Sequence, residues 1–120
     1  MRFFIPADWR ILVVEDDGDR IVWFRERMPN AVFAETATEA VALLNANKFN
    51  VVFLDHDLHW THIADINIFE GTGRQVAQFL QDSDFHGPVV VHSKNPEGAQ
   101  LMGEILPNAR IAPFGTFEIN

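Results

Sequence analysis

Ile11-Leu12-Val13-Val14-Glu15-Asp16-Asp17 is a run of four branched apolar residues that stops at three consecutive carboxylates. An uninterrupted apolar run of this length is too short for a helix, and it does not alternate with polar residues as a half-buried strand would. It reads as a strand buried on both faces, the pattern of a parallel sheet. Working outward, comparable runs recur at Arg10 to Val14, Ala31 to Glu35, Asn50 to Leu54, Pro88 to His92 and Ala109 to Pro113. These are five predicted strands.

Helical segments fill the gaps. Thr36 followed by Glu39 forms a capping box, after which Ala37, Ala40, Val41 and Leu44 make one apolar stripe. Asn95-Pro96 places a cap residue before proline at the first helical position; Ala99, Met102, Ile105 and Leu106 follow at helical spacing until Pro107. Asp19 to Met28 and Gly73 to Gln81 supply two further helices. With right-handed crossovers, this alternation gives an α/β fold of the flavodoxin-like, doubly wound kind, with a five-stranded parallel sheet in the order 2-1-3-4-5.

Only seven residues, Phe114 to Asn120, follow the fifth strand, too few for a C-terminal helix. One sheet face therefore needs another cover. Phe3, Phe4, Ile5 and Trp9 of an N-terminal segment, residues 1–9, could fold across it, or a second copy could bury it in a homodimer. Residues 10–120 read as a single domain.

The composition narrows the function. The chain has 120 residues, 48% of them apolar, no cysteine, and a net charge of −8. One compact domain follows from the length. The absence of cysteine excludes disulfides, thiolate nucleophiles and Cys-ligated metals, leaving oxygen and imidazole ligands. Two lysines and an acidic balance exclude a broad nucleic-acid-binding face. No stretch approaches a membrane span and the N-terminus lacks a signal-peptide pattern, so a cytoplasmic protein is expected.

In an open parallel sheet, ligands bind beyond the carboxyl ends of the strands. Those ends carry Glu15-Asp16-Asp17, Asp55-His56-Asp57 and His92-Ser93-Lys94-Asn95. Carboxylates brought together from separate strands repel unless a cation neutralises them, and oxygen-only ligands suit Mg²⁺ or Mn²⁺. Ser93, Lys94 and Asn95, beside a helix start, are candidate phosphate-binding residues. His56 and His92 abut the acidic cluster and are candidates for proton transfer. Asp16, Asp17 and Asp19 are also natural caps for the first helix. Gly71-Thr72-Gly73 is better read as a helix entry capped by Thr72 than as a phosphate loop. His59, His62 and His86 read as solvated loop residues. The connection from Asp55 to Thr72 is long enough to mark a functional or mobile segment.

The quoted motifs resemble the receiver domain of bacterial response regulators over about residues 10 to 114. The resemblance implies that Glu15 and Asp16 bind Mg²⁺, that Asp55 accepts a phosphoryl group from a partner kinase, and that Ser93 is the switch hydroxyl. Two departures stand out. Receivers carry a Lys before the Pro-Phe that ends the fifth strand, whereas Ala112 precedes Pro113-Phe114 here, and His56-Asp57-Leu58 replaces the usual turn after the acceptor. Asp55-His56-Asp57-Leu58 together with His92-Ser93-Lys94-Asn95-Pro96 is closer to the divergent cyclic-phosphate-processing receivers.

That resemblance implies a metal set of Glu15, Asp16, Asp55 and Asp57, catalytic roles for Asp55, His56 and His92, and a phosphate-containing small molecule or nucleic-acid end as partner. The other expectations are a phosphoacceptor in a phosphorelay and a scaffold that only binds a partner. Six acids, Glu15, Asp16, Asp17, Asp19, Asp55 and Asp57, lie at or just past two strand ends. The other 11 acids nearly balance the 9 Lys and Arg, so the net charge largely reflects one local cluster.

Overall fold

The computed structural model describes residues 1–58 and 71–120 and, between them, the backbone course of 60–63 and 66–69. In chain order the elements are β1 (Arg2–Phe3), β2 (Ile11–Val14), α1 (Gly18–Arg27), β3 (Val32–Ala34), α2 (Ala37–Ala46), β4 (Val51–Leu54), β5 (Trp60–Ile63), β6 (Ile66–Phe69), α3 (Gly73–Asp82), β7 (Val89–Val91), α4 (Pro96–Ile105), β8 (Arg110–Ile111) and β9 (Glu118–Ile119). The central sheet runs β3-β2-β4-β7-β8 and every pairing in it is parallel. This is the expected 2-1-3-4-5 order.

Its three inner strands, β2, β4 and β7, are buried on both faces, which explains their continuous apolar composition, whereas the edge strands β3 and β8 are partly or fully exposed. Leu12, Val14, Val52, Leu54, Val89 and Val91 pack with Ala40 of α2, Val76 and Leu80 of α3, and Met102 of α4. Ile11, Val13, Val51, Phe53 and Val90 face the other way, against Phe24 and Met28 of α1. The helix starts follow their side-chain chemistry. Asp17 Oδ1 accepts from Arg20 N, Thr36 Oγ1 from Glu39 N, and Asn95 Oδ1 from Gly98 N, each satisfying an otherwise orphaned donor.

The α1 side of the sheet is covered further by residues 1–9 and 114–120. β1 pairs with β9 in parallel, and Phe3, Ile5, Trp9, Phe114, Phe117 and Ile119 lie over the Val13 and Phe53 side of the sheet. Phe3 meets Phe53 edge-on with ring centroids 6.3 Å apart, and Phe117 stacks on Phe53 at 6.4 Å. Covering this face therefore requires no second copy. Phe4 departs from expectation. Side chains alternate along an extended segment, so Phe3 and Ile5 turn inward while Phe4 is 76% exposed. The long connection also differs from a plain loop, because β5 and β6 form an antiparallel hairpin within it.

Replacing Phe117 by Ala is expected to cost about 3 kcal/mol in urea unfolding, as for other large aromatic truncations. Phe4→Ala should stay within about 0.5 kcal/mol. Equal costs for the two variants would contradict terminal coverage of this face.

Candidate metal and phosphate site

Three ladder bonds carry the sheet one residue beyond its strands: Glu15 N donates to Ala34 O (2.9 Å), Asp55 N to Val14 O (3.1 Å) and His92 N to Leu54 O (3.1 Å). Because side chains alternate, Glu15 continues the row of Ile11 and Val13, Asp55 that of Val51 and Phe53, and His92 that of Val90. All three therefore stand side by side on the α1 face, with candidate ligand atoms within 4.8 Å of one another.

Glu15 is fully buried. Its Oε2 accepts from the backbone N–H of Asp16 (3.0 Å) and Asp17 (3.1 Å), and His92 Nε2 donates to its Oε1 (2.9 Å). Burial acts to raise the carboxyl, but the His92 hydrogen bond and charge, the Asp17 N–H and the Arg20 guanidinium together hold it below its ordinary value. Glu15 is thus an ionised carboxylate at the base of the site, and its hydrogen bonds hold the turn that starts α1.

His92 needs correction as a candidate acid or base. Its ring is fully buried, edge-on to Phe24 at 5.1 Å, and Nε2 is committed to Glu15. Nδ1 is buried and has no hydrogen-bond partner among the described residues. The enclosed ring turns its Nε2 to Glu15 and not into the cavity.

Asp55 is 4% exposed. Burial and the Glu15 charge push its carboxyl up to about 6, against the opposing pull of His92, the His56 backbone and Arg20. The close fit beneath it explains Gly73. A Cβ there would lie 1.9 Å from the Asp55 carbonyl oxygen, and the Gly73 N–H donates to His56 O (2.8 Å). Gly71-Thr72-Gly73 is accordingly a helix entry, with a capping box between Thr72 and Gln75. Gly73 permits α3 to abut the strand end that carries Asp55.

At the rim, His56 Nδ1 donates to Asp57 Oδ1 (2.8 Å), which also accepts from Asn95 Nδ2 (3.3 Å). The His56 hydrogen bond is the main cause holding Asp57 below the usual carboxylate range, aided by Asn95 and opposed by its slight burial. The His56 ring lies over the first turn of α4, where a Cβ at Gly98 would be 2.4 Å from the ring Cγ. The Asn95 amide oxygen caps α4 and one of its two amide N–H donors goes to Asp57. Ser93 is buried and its Oγ accepts from Asn95 N (3.0 Å), which leaves the hydroxyl proton to donate. Lys94 is exposed.

A cavity of about 230 Å³ lies among these groups, bounded by Asp16, Asp17, Asp55 and Asp57 with Arg20, Ser93 and Lys94; Glu15 forms part of its floor. Neither His56 nor His92 reaches its wall. A larger hollow of about 470 Å³ lies between Phe49, Phe79 and Phe85. It lacks converging carboxylates, so the smaller acidic cavity is the candidate site. His59 lies outside the described residues, as does the side chain of His62; His86 is exposed.

Arg20 was not among the sequence candidates. Its Nη1 lies 3.6 Å from Glu15 Oε1 and 3.9 Å from Asp55 Oδ2. The only local signal was an arginine in the first turn of a helix, where a cation opposes the helix dipole.

The donor set fits a hard divalent cation. Five carboxylates face two cationic side chains around a small cavity, and burial together with the Glu15 charge pushes Asp55 up. The sequence candidates Glu15, Asp16, Asp55 and Asp57 all line the cavity, and among the described residues Glu15, Asp55 and His92 bring possible ligand atoms within 4.8 Å of one another.

With this geometry established, the comparisons give the family. Residues 10–108 match the cyclic-phosphate processing receiver domain, and the chain belongs to that family. Solved structures share the fold. The non-phosphorylated HemR receiver domain of Leptospira biflexa superposes with a TM-score of 0.70 at 26% identity, covering 90% of this chain and 83% of that one. The response regulator TrrA of Thermotoga maritima, solved in complex with Mg²⁺-BeF, gives 0.68 at 17% over 89% of both chains. The Mn²⁺-bound form of response regulator Rcp1 gives 0.64 at 18%, covering 87% and 80%. No curated protein matches the chain in sequence. Among the described residues no helix is long and apolar enough to cross a membrane.

Because the Asp55 carboxyl is raised from 3.8 to about 6 in the folded protein, its contribution to stability is fully present below about pH 4 and is lost as pH rises through about 6. The shift corresponds to about 3 kcal/mol. Urea unfolding of metal-free protein should therefore show Asp55→Asn as more stable than wild type at pH 7.5, with the loss between pH 4 and 6.5 flattened. A less stable variant at pH 7.5 would refute the raised Asp55 carboxyl that burial and the Glu15 charge produce.

Proposed function

We propose that this receiver-like domain binds a divalent cation in its acidic cavity and uses it to process a cyclic phosphate or phosphate ester. The observation that carries this reading is the His56–Asp57 hydrogen bond at the rim, extended to Asn95. Opening a cyclic phosphodiester needs a proton taken from the attacking water and one delivered to the departing oxygen, which transfer of a phosphoryl group to an aspartate does not. Asp57 holds the His56 Nδ1 proton and so orients the ring beside the rim; the ring does not reach the cavity wall, so its Nε2 would serve the part of a substrate that extends beyond the cavity.

A bound Mg²⁺ or Mn²⁺, held by Asp16, Asp55 and Asp57, would neutralise the carboxylates and polarise a phosphate oxygen. Ser93 Oγ and the Lys94 ammonium supply a hydroxyl donor and a mobile charge to the same oxygens. The family's own description, as cyclic-phosphate processing, agrees with this assignment.

A second reading is favoured by one placement. Asp55 sits directly after β4 and opposite Ser93, the arrangement expected of a phosphoacceptor served by a partner kinase. TrrA with Mg²⁺-BeF and Rcp1 with Mn²⁺ have the same fold.

The two readings separate by experiment. With Mg²⁺ or Mn²⁺, the protein should convert a 2′,3′-cyclic nucleotide to a phosphate monoester, followed by ³¹P NMR, and His56→Ala should lower kcat on the order of 100-fold. Absence of turnover with both ions, or an unchanged rate in His56→Ala, overturns this reading. A mass gain of one phosphoryl group from acetyl phosphate, lost in Asp55→Asn, supports the second.

A further inference from the structure

Arg20 stands at the third position of α1, with its backbone N–H on the capping Asp17 carboxylate (3.1 Å). A cation in the first turn of a helix faces the positive end of the dipole and is locally unfavourable. Such conflicts between local preference and position are expected at functional sites.

Three surroundings offset this placement. Glu15 and Asp55 lie 3.6 and 3.9 Å from the guanidinium, and the Phe114 ring is 5.1 Å from its central carbon. Both carboxylate separations are too long for directed hydrogen bonds, so among the described residues charge and ring contact hold the group. Arg20 itself lines the cavity.

At the end of β8, Ala112 is buried and its N–H continues the ladder to Val91 O (2.9 Å). The sheet end on that side therefore presents a methyl group. The cation closest to Asp55 comes instead from α1, on the far side of the strand order.

We propose that Arg20 is the specificity-determining residue for the phosphoryl group, reaching from α1 to bind phosphoryl oxygens above Asp55. This rests on reading the cavity as a phosphate site. A planar guanidinium can give two parallel hydrogen bonds to one phosphate, which the single ammonium of Lys94 does not match. When phosphate enters, the guanidinium exchanges its two long carboxylate contacts for short ones to the ligand, and Phe114 continues to support its face. Arg20 competes with metal for the carboxylates yet cooperates with metal in holding phosphate.

That opposition supplies the test. Mg²⁺ alone, then inorganic phosphate on the Mg²⁺-loaded protein, is titrated calorimetrically into wild type, Arg20→Gln and Arg20→Lys, with thermal melts confirming folding. Arg20→Gln should bind Mg²⁺ at least as tightly as wild type but bind phosphate at least about tenfold more weakly. Arg20→Lys should recover part of the phosphate affinity. Equal losses for Mg²⁺ and phosphate would mark Arg20 as merely structural, and unchanged phosphate affinity, or no phosphate binding by Mg²⁺-loaded wild type, also overturns the proposal. If wild type binds both ligands but turns over no cyclic phosphate, the enzymatic reading fails while the Arg20 assignment stands. If turnover occurs and Arg20→Gln keeps wild-type KM and phosphate affinity, the Arg20 assignment fails alone.

Discussion

A fully buried, ionised carboxylate, Glu15, sits beneath a second buried carboxylate, Asp55, and most of the site is arranged around that pair. Removing a carboxylate from water is costly unless its oxygens are satisfied, and Glu15 takes two backbone N–H groups, the His92 ring and the Arg20 charge. Satisfying Glu15 shapes the turn through Asp16 and Asp17, and that turn places Asp17 to cap α1 and Arg20 to face the cavity. Asp55 receives less compensation. Its carboxyl is raised where Glu15's is lowered, although the two are neighbours on adjacent strands. Unequal compensation makes the pocket receptive to a cation.

The layer behind the carboxylates strengthens these interactions. Phe24 lies against His92, and Phe53, Phe114 and Phe117 form with it an aromatic sheet that excludes water. In such surroundings, charge interactions are stronger than at an exposed surface. Phe117 belongs to the C-terminal segment, and the N-terminal Phe3 packs on it at 5.3 Å. The pairing of the two chain ends thus does the packing work of a helix while completing the apolar wall behind the site. Arg27 adds a bond from α1 to Glu118 of β9 and lies over the Trp23 ring.

Much of this was legible in the residue order because the signals were local. Continuous apolar runs marked strands buried on both faces, and Thr36, Thr72 and Asn95 marked helix starts; crossover handedness pointed to a doubly wound sheet, and the order 2-1-3-4-5 was a choice among the common ones. Glu15, Asp16, Asp55, Asp57, Ser93 and Lys94 could be singled out because strand ends are where such sheets bind ligands, and the fold does gather them around one cavity. What the residue order does not carry is facing direction and distant partners. His92 is polar at a strand end, but the alternation of its strand turns it inward to Glu15. Asn95 reads as a free amide until its partners, Gly98 and Asp57, are known. Arg20 was hidden because a charged residue on a helix is ordinarily solvated, and only the tertiary fold brings it to Asp55. The β1–β9 pairing joins residues more than a hundred positions apart, beyond any local pattern.

The acidic excess of the chain is concentrated where the fold gathers it, so its main consequence is for metal binding. The central claim is that a divalent cation relieves the charge held at Asp55, and it is tested most directly by the melting temperature of metal-free protein at pH 7.5 with and without MgCl₂. A ligand bound only by the folded state adds about 2.7 kcal/mol of stability at a hundredfold excess over its Kd. The account expects Mg²⁺ to raise the Tm of wild type and to raise that of Asp55→Asn much less. No rise in wild type, or an equal rise in both proteins, would contradict it.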